Sequence, residues 1–555
     1  MAGGTWTNQN KVRPGIYINY SSSPSTLATM GERGVVCIPR NMSWGESEKI
    51  ITINDPEECF YKLGYDQLSD EMIWLRQLLL GTNRSEGASK VLVWRFGSTG
   101  DAAATATQSN VTPATKASTT VGNLTCTAVT AGANGNKLSV LIVANGGGTG
   151  FDVTIANDGV TETTLTGKAN VSDLTDTASV TFSGTGALSA TADGNPQQFE
   201  GGKDATIDGS LTVTAKYSGT RGNDISVIIT PDPDNSPSKT IYYVQTLVDG
   251  ELVDNQILES DSSSVALSGL ANNSWVNFTT KTGNAFATSM TLSGGNNGTE
   301  SSTALSNFLT AAELESWNVV AYCADDSVGK SAVTSFVKRL ANDEGKKVQA
   351  CLWNYPSADN ECVISVMPQY ITDLSGHTFT ADEMVCWVAG ASAGASVSQA
   401  LTYAAHPDAA TLNPVLTSSQ QIAAINDGQF AFIEEFGEIK NLQDNNTFKT
   451  YTQTKGKVFR KNRVIRTVFG IANDTYETFS RFYVGNTNND DFGRNLLKSE
   501  LLNILNNYQG AGAVKNVNAD DVTVSAGQDS DGVVIEENIQ PIDSVEKIYI
   551  NITIS

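Results

Sequence analysis

Histidine is almost missing from this chain: there are two, His377 and His406, in 555 residues. That scarcity excludes His-rich metal centres and leaves little room for His-based acid–base chemistry. There is no Walker pattern, no H-E-x-x-H and no EF-hand loop. No apolar run approaches the ~20 residues that span a bilayer. The opening MAGGTWTNQNKVRPG has no apolar centre, so it does not read as a signal peptide and the chain is expected to be a soluble product of the cytoplasm. The seven cysteines (37, 59, 126, 323, 351, 362 and 386) show no C-x-x-C spacing and are odd in number. They are expected to be buried free thiols rather than a disulfide framework or a zinc site. Charged residues make up only 17%, yet the net charge is −23. Such a chain repels nucleic acid and anionic membranes and meets basic partner surfaces.

What is present is β-forming and turn-forming sequence, with 49 glycines and many Thr/Ser/Asn/Val stretches. After an arm at 1–20 containing Ile16-Tyr17-Ile18, residues 21–100 read as the first part of an α/β domain. GVVCIP and KVLVWRF are strands. NDPEECFYKLG opens a helix with Asn54 or Asp55 as N-cap and Pro56 behind it. DEMIWLRQLLLG is a helix that stops at Gly81. Residues 301–430 supply the second part. TALSNFLTAAELES and SVGKSAVTSFVKRLANDEG are helices, while WNVVAYC, VQACLW, ECVISVM and EMVCWVAG are strands of a sheet covered on both faces.

Between these halves lie two all-β modules, 101–203 and 204–300, read as tandem copies. LTCTAVTAGANGNKLSVLIV begins at Leu124 and LTVTAKYSGTRGNDISVIIT at Leu211. Both carry G-x-x-G-N, and the copies exit through FEGGKDAT and LSGGNNGT. The fold class is therefore α+β and multidomain: a mixed α/β core, two inserted sandwich-like modules, and a C-terminal α+β domain at 431–545. In that last domain KTYTQTKGKVFRKNRVIRTVFG reads as extended and basic, with Lys455, Lys457, Arg460, Lys461, Arg463 and Arg466. GRNLLKSELLNILNNYQG is an amphipathic helix, and DVTVSAG and GVVIEENIQP are strands. The end, 546–555, alternates strictly, with Ile548, Ile550, Ile552 and Ile554 on one face and Tyr549 on the other.

One stretch spells a catalytic word. Gly390-Ala391-Ser392-Ala393-Gly394 matches the G-x-S-x-G elbow of α/β-hydrolases, after an expected strand and before SVSQALTYAA, an expected helix. The triad order needs an acid and then a histidine downstream. Only His406 follows, with no acidic residue in between. The run reads instead as a packing device, and no catalytic residue, metal or cofactor is expected.

KNRVIRTVFG, RNLLKSELLNILNNYQGAGAVKN and above all IQPIDSVEKIYINITIS resemble contractile phage tail sheath proteins of Gram-positive phages and phage-tail-like particles. RPGIYINY, the repeated G-x-x-G-N and VAGASAGASVSQALTY fit the same pattern. The resemblance covers about 1–100 and 205–555, with the first β module as an extra, outer-surface duplicate. It implies a structural protein that stacks as hexameric rings in a helical array around a tail tube protein, with baseplate and tail terminator proteins as further partners. It implies contraction that drives the tube through an envelope, assembly in a virion or phage-tail-like particle after synthesis in a bacterial host, and no nucleic acid or small-molecule substrate. It also implies strand donation to neighbouring copies by the two arms, here Ile16, Tyr17, Ile18, Lys547, Ile548, Tyr549, Ile550 and Ile552. The basic run Lys455, Lys457, Arg460, Lys461 and Arg463 is expected to face an acidic tube. The alternative from another class is a surface β-repeat adhesin or S-layer-like protein.

Overall fold

The computed structural model describes Gly31 and residues 33–554. Strand β1 (Val35–Arg40), β2 (Ile50–Ile53) and β3 (Lys90–Arg95) come first, with helices α1 (Cys59–Leu63) and α2 (Ile73–Leu80) between β2 and β3. The Asp55 side chain accepts the Glu57 amide ahead of Pro56, which satisfies an end donor of the first turn.

Residues Gly100–Gly298 form a compact unit of their own. Its strands are β4 (Thr105–Thr112), β5 (Ser118–Val121), β6 (Leu124–Ala128), β7 (Leu138–Ala144), β8 (Phe151–Asn157), β9 (Val160–Lys168), β10 (Val180–Gly184) and β11 (Gln197–Gln198). They continue with β12 (Thr206–Ala215), β13 (Ile225–Pro231), β14 (Thr240–Val248), β15 (Glu251–Ser260), β16 (Val276–Gly283) and β17 (Thr288–Thr291). Two sheets, β10-β6-β5 and β9-β8-β7-β11, make one sandwich; β16-β12-β4 and β15-β14-β13-β17 make the other with the same order of equivalent strands. The duplication is real, but the copies are nested and not in tandem. Strand β4 pairs with β12 from Thr105↔Thr214 to Thr112↔Thr206, so residues 105–112 belong to the second sandwich and the first is inserted behind its opening strand. The module expected at 101–203 therefore opens with a strand that belongs to the other copy.

The repeated motif does more than turn the chain. Gly132 and Gly219 take φ of 129° and 124° at matching places, a region open to glycine. The two asparagines then clamp the module exits: Asn136 exchanges two hydrogen bonds with Gly202 (2.8 and 2.9 Å), and Asn223 does the same with Gly295 (3.1 and 2.8 Å).

The α/β core resumes with α3 (Ala304–Glu313), β18 (Val319–Tyr322), α4 (Ser327–Asn342), β19 (Gln349–Trp353), β20 (Val363–Val366), α5 (Ala381–Gly394), α6 (Ser418–Asn426) and β21 (Gln429–Phe430). The sheet order is β2-β3-β1-β18-β19-β20-β21; only the β2–β3 pairing is antiparallel. Alternation divides each strand between two cores. Val36, Ile38, Val319 and Ala321 pack towards α2 and α5, and Cys37, Val320 and Tyr322 towards α3 and α4. Phe432 and Ile439 still lie in the first of these cores, beyond the boundary expected at 430.

Three local expectations change. EMVCWVAG is not a strand: it is the middle of α5, opened by a capping box between Thr380 and Glu383. Its residues 383–393 are all buried, so the amphipathic period that marks a helix is absent. SVSQALTYAA forms no helix. KTYTQTKGKVFRKNRVIRTVFG is not extended through its basic part, because a 3-10 turn over Lys457–Arg460 leads into helix α7 (Asn462–Phe482). Among the described residues no helix is long and apolar enough to cross a membrane.

Candidate inter-subunit surface

The C-terminal domain is built on α7, α8 (Asp491–Gly510) and a hairpin of β22 (Val522–Ala526) and β23 (Val533–Glu537). Leu501, Ile504, Leu505 and Tyr508 of α8 pack with Ile471 of α7 and Val522, while Val524 and Ile535 of the hairpin lean on the same cluster. Helix α7 buries polar groups as well. Arg466 and Asp444 form an ion pair at 2.5 Å with both side chains 1% exposed. Asp444 also accepts from Asn462 Nδ2 and the Leu401 amide, each at 3.0 Å, so its charge is fully engaged. The Tyr508 hydroxyl donates to Asp474 at 2.7 Å; burial, the largest influence, leaves the Asp474 carboxyl above its ordinary value.

From the hairpin the chain runs back beside residues 513–515. The Lys515 amide donates to Gln540 O at 3.0 Å and the Ile542 amide to Ala513 O at 2.8 Å. It then meets a clamp. One Glu546 carboxylate oxygen accepts from Thr402 Oγ1 and the other from Gln443 Nε2, both at 2.8 Å, and Lys461 Nζ pairs with the second oxygen. Burial pushes this carboxyl up, but the bonds from Lys461, Gln443 and Thr402 outweigh it and hold the group below its ordinary value.

Past Glu546 no hydrogen bond or ion pair ties the chain to the other described residues. Residues 547–554 join no strand, and Ile548, Tyr549, Ile550, Ile552 and Ile554 are 76–92% exposed. An alternating apolar segment in that state is an unpaired strand. The hairpin is its natural counterpart, since β22 and β23 pair only with each other among the described residues and each keeps an outer edge. Ile16, Tyr17 and Ile18 lie outside the described residues.

The five basic residues of 455–463 are not brought together as one open face. Lys457 is exposed, Lys455, Lys461 and Arg463 are half-buried, and Arg460 is buried. Lys455 pairs with Glu361, and Lys461 holds Glu546 with Asp543 nearby at 3.6 Å. The clamp partners Thr402, Gln443 and Glu546 carry no sequence signature; the only cue was an acid placed just before an alternating run.

The G-x-S-x-G run makes no elbow. Ser392 lies in the last turn of α5 with its Oγ buried and bonded to nothing. His406 is buried too, its Nε2 2.9 Å from Gln77 Oε1. The glycines explain the run: a Cβ on Gly390 would lie 2.0 Å from Leu78 O, and one on Gly394 2.2 Å from Gly87 O. Small residues let α5 touch backbone.

Four family models match the chain. They describe a tail sheath protein domain III N-terminal region (33–95), a phage tail sheath beta-sandwich domain (201–297), a phage tail sheath central domain (298–447) and a phage tail sheath C-terminal domain (454–555). Among solved structures, the sheath tail protein of Desulfitobacterium hafniense is 33% identical, with 97% of this chain and 99% of that chain covered and a TM-score of 0.65. The sheath tail protein of Listeria innocua is 25% identical over 94% and 95%, with a TM-score of 0.63. The phage-like element PBSX protein XkdK of Bacillus subtilis is 26% identical with both chains covered in full. Coverage of that extent on both sides means that relatives match this chain in length, inserted sandwich included. The chain belongs to the phage tail sheath family.

Proposed function

We propose that this protein is the repeating subunit of a contractile tail sheath, polymerising as stacked hexameric rings around a tail tube and contracting to drive the tube through a target envelope. The observation that carries the reading is the exposed, alternating segment 547–554 leaving a fixed root at Glu546. A strand held out from a clamped base is suited to a neighbour's sheet edge. The hairpin β22–β23 offers such an edge in every copy. About four ladder hydrogen bonds at ~1 kcal/mol each give a joint of ~4 kcal/mol before apolar burial. One such joint is weak and a lattice of them is not. The arm with Ile16, Tyr17 and Ile18 is proposed as the second donor. The partners are further copies of the chain, a tube protein, and baseplate and terminator proteins; assembly follows synthesis in the host cytoplasm.

Contact with an acidic tube falls chiefly to the exposed Lys457, because Lys455 and Lys461 are held in ion pairs within the chain and Arg460 is buried. A single exposed pair is worth little and is screened by salt, which suits a surface that must release. The test is electron microscopy of the full chain beside a version lacking 547–555, both checked for unchanged melting. Striated tubes or rings from the full chain that vanish on truncation support the reading. Equal assembly by the truncated chain overturns strand donation by this arm.

A further inference from the structure

We propose that Cys323, Asp382 and Cys386 form a binding site for one soft divalent transition-metal ion, with zinc(II) the best fit. The three side chains come from two rigid elements. Cys323 directly follows β18 and continues the alternation of Val319 and Ala321 towards α5. Asp382 and Cys386 are one turn apart on α5, so both project to the same side. The result is the one group of three or more His, Cys, Asp or Glu side chains among the described residues whose ligand atoms all lie within 4.8 Å of one another.

The spacing discriminates between outcomes. The two sulfurs stand 3.7 Å apart. Two thiolates each about 2.3 Å from a tetrahedral zinc ion are about 3.8 Å apart, whereas a disulfide needs about 2.05 Å. Asp382 Oδ1 is 3.9 Å from Cys386 Sγ, somewhat longer than the carboxylate–thiolate edge of about 3.5 Å in the same tetrahedron. Arg40 does not remove Asp382 from the set. Its fork donates to Oδ1 at 2.7 Å and Oδ2 at 2.6 Å, and a carboxylate has about four lone-pair sites, so oxygen remains for a metal. Arg40 is itself fixed over the Trp74 ring at 4.4 Å. A fixed donor on a ligating carboxylate is the arrangement that orients ligands at metal sites.

Charge favours the assignment. Two thiolates, one carboxylate, a divalent ion and the Arg40 guanidinium sum to zero. Binding transfers no electron: the two thiol protons leave to solvent and two metal–sulfur bonds and one metal–oxygen bond form. Cys386 is buried and Cys323 only partly so. The ion enters from the Cys323 side, where water completes the tetrahedron.

The test uses the full chain, purified under a phosphine reductant, stripped with chelator and titrated with cobalt(II). The expected result is thiolate-to-cobalt charge-transfer absorption with tetrahedral visible bands, saturating near ~1 equivalent. Zinc(II) should displace the signal, and Cys323→Ser should abolish it. Zinc should raise the melting temperature of the wild type and leave that of Cys323→Ser unmoved. Cys323 is the less buried of the two, so its substitution is the milder, and circular dichroism is the check of the variant's fold; Cys386→Ser is a second check where it folds. Absence of the thiolate band, its persistence in Cys323→Ser, or mass-spectrometric detection of a Cys323–Cys386 disulfide in the reduced preparation overturns the proposal.

Discussion

At Gly390 and at Ser392, two positions of the same turn, removal and addition of atoms should act in opposite directions. Alanine at 390 gains ~1 kcal/mol of helix propensity, but its Cβ meets the Leu78 carbonyl oxygen at 2.0 Å. Overpacking against backbone outweighs that gain, and Gly390→Ala should lower the unfolding free energy by about 1–3 kcal/mol in urea denaturation. Ser392→Ala removes a buried hydroxyl that has no partner and should be neutral or slightly stabilising. His406 gives a residue-scale pH dependence. Its Nδ1 accepts the Asp408 amide at 3.2 Å and its Nε2 faces Gln77 Oε1, so the ring is held neutral, bearing its proton on Nε2. Burial lowers its pKa from 6.5 to about 4. The unfolded chain therefore binds the proton first as pH falls. Stability is whole above 6.5 and declines towards 4, by about 3 kcal/mol. Urea midpoints across that window should fall more steeply for the wild type than for His406→Gln; parallel slopes would remove His406 from the explanation.

At the scale of elements, legibility followed the distribution of polar residues. Helices α2, α3, α4 and α8 have one apolar stripe, and their periodicity exposed them. Helix α5 is buried all round, so MVCWV offers no period and reads as a strand. Helix α7 hides its stripe differently: the buried face includes Asn462, Arg466, Asp474 and Thr478, polar groups that are recognisable as core only when Asp444 and Tyr508 are seen beside them. The duplication was legible from G-x-x-G-N, but the nesting was not, because β4 lacks the motif and shows its allegiance only by pairing with β12. Of the Glu546 clamp only the acid ahead of the alternating run was legible, since Thr402, Gln443 and Lys461 meet it from distant parts of the chain. Nesting carries its own prediction. Thr112 and Thr206 face each other in antiparallel register, so the chain ends left by removing 113–205 are already placed for a hairpin. Joining them through a short Asn-Gly turn should leave the second sandwich folded, with amide-exchange protection of β12 to β17 preserved. Loss of that protection would mean that the first sandwich is required for the second.

For the whole molecule, the clamp and the tail divide two jobs, direction and attachment. Residues 547–554, extended, reach about 26 Å beyond Glu546, enough to lie along a five-residue strand such as β22. If the joint needs only the tail's hydrogen bonds, slack at its root should be harmless. If the lattice also needs a fixed exit point, slack should weaken it without touching the fold of the subunit. A flexible Gly-Ser insert placed after Glu546 lowers the effective concentration of the tail at any one neighbour. Glu546→Gln leaves the length unchanged and removes the charge that Lys461 holds. The insert should melt within about 1 kcal/mol of the wild type, and Glu546→Gln, which takes the negative partner from a largely buried pair, should cost a few kcal/mol at most; both should assemble only at raised protein concentration, with tubes of less regular striation in electron micrographs. Salt separates this joint from the tube contact. At 1 M the Debye length is about 3 Å, so attachment to a tube through Lys457 should be lost. Strand joints, which are hydrogen-bonded and apolar, should survive. Sheath fragments that stay joined to one another while letting go of the tube are the expected sight. Fragments that fall apart at the same salt concentration would place the holding force in charge and not in donated strands.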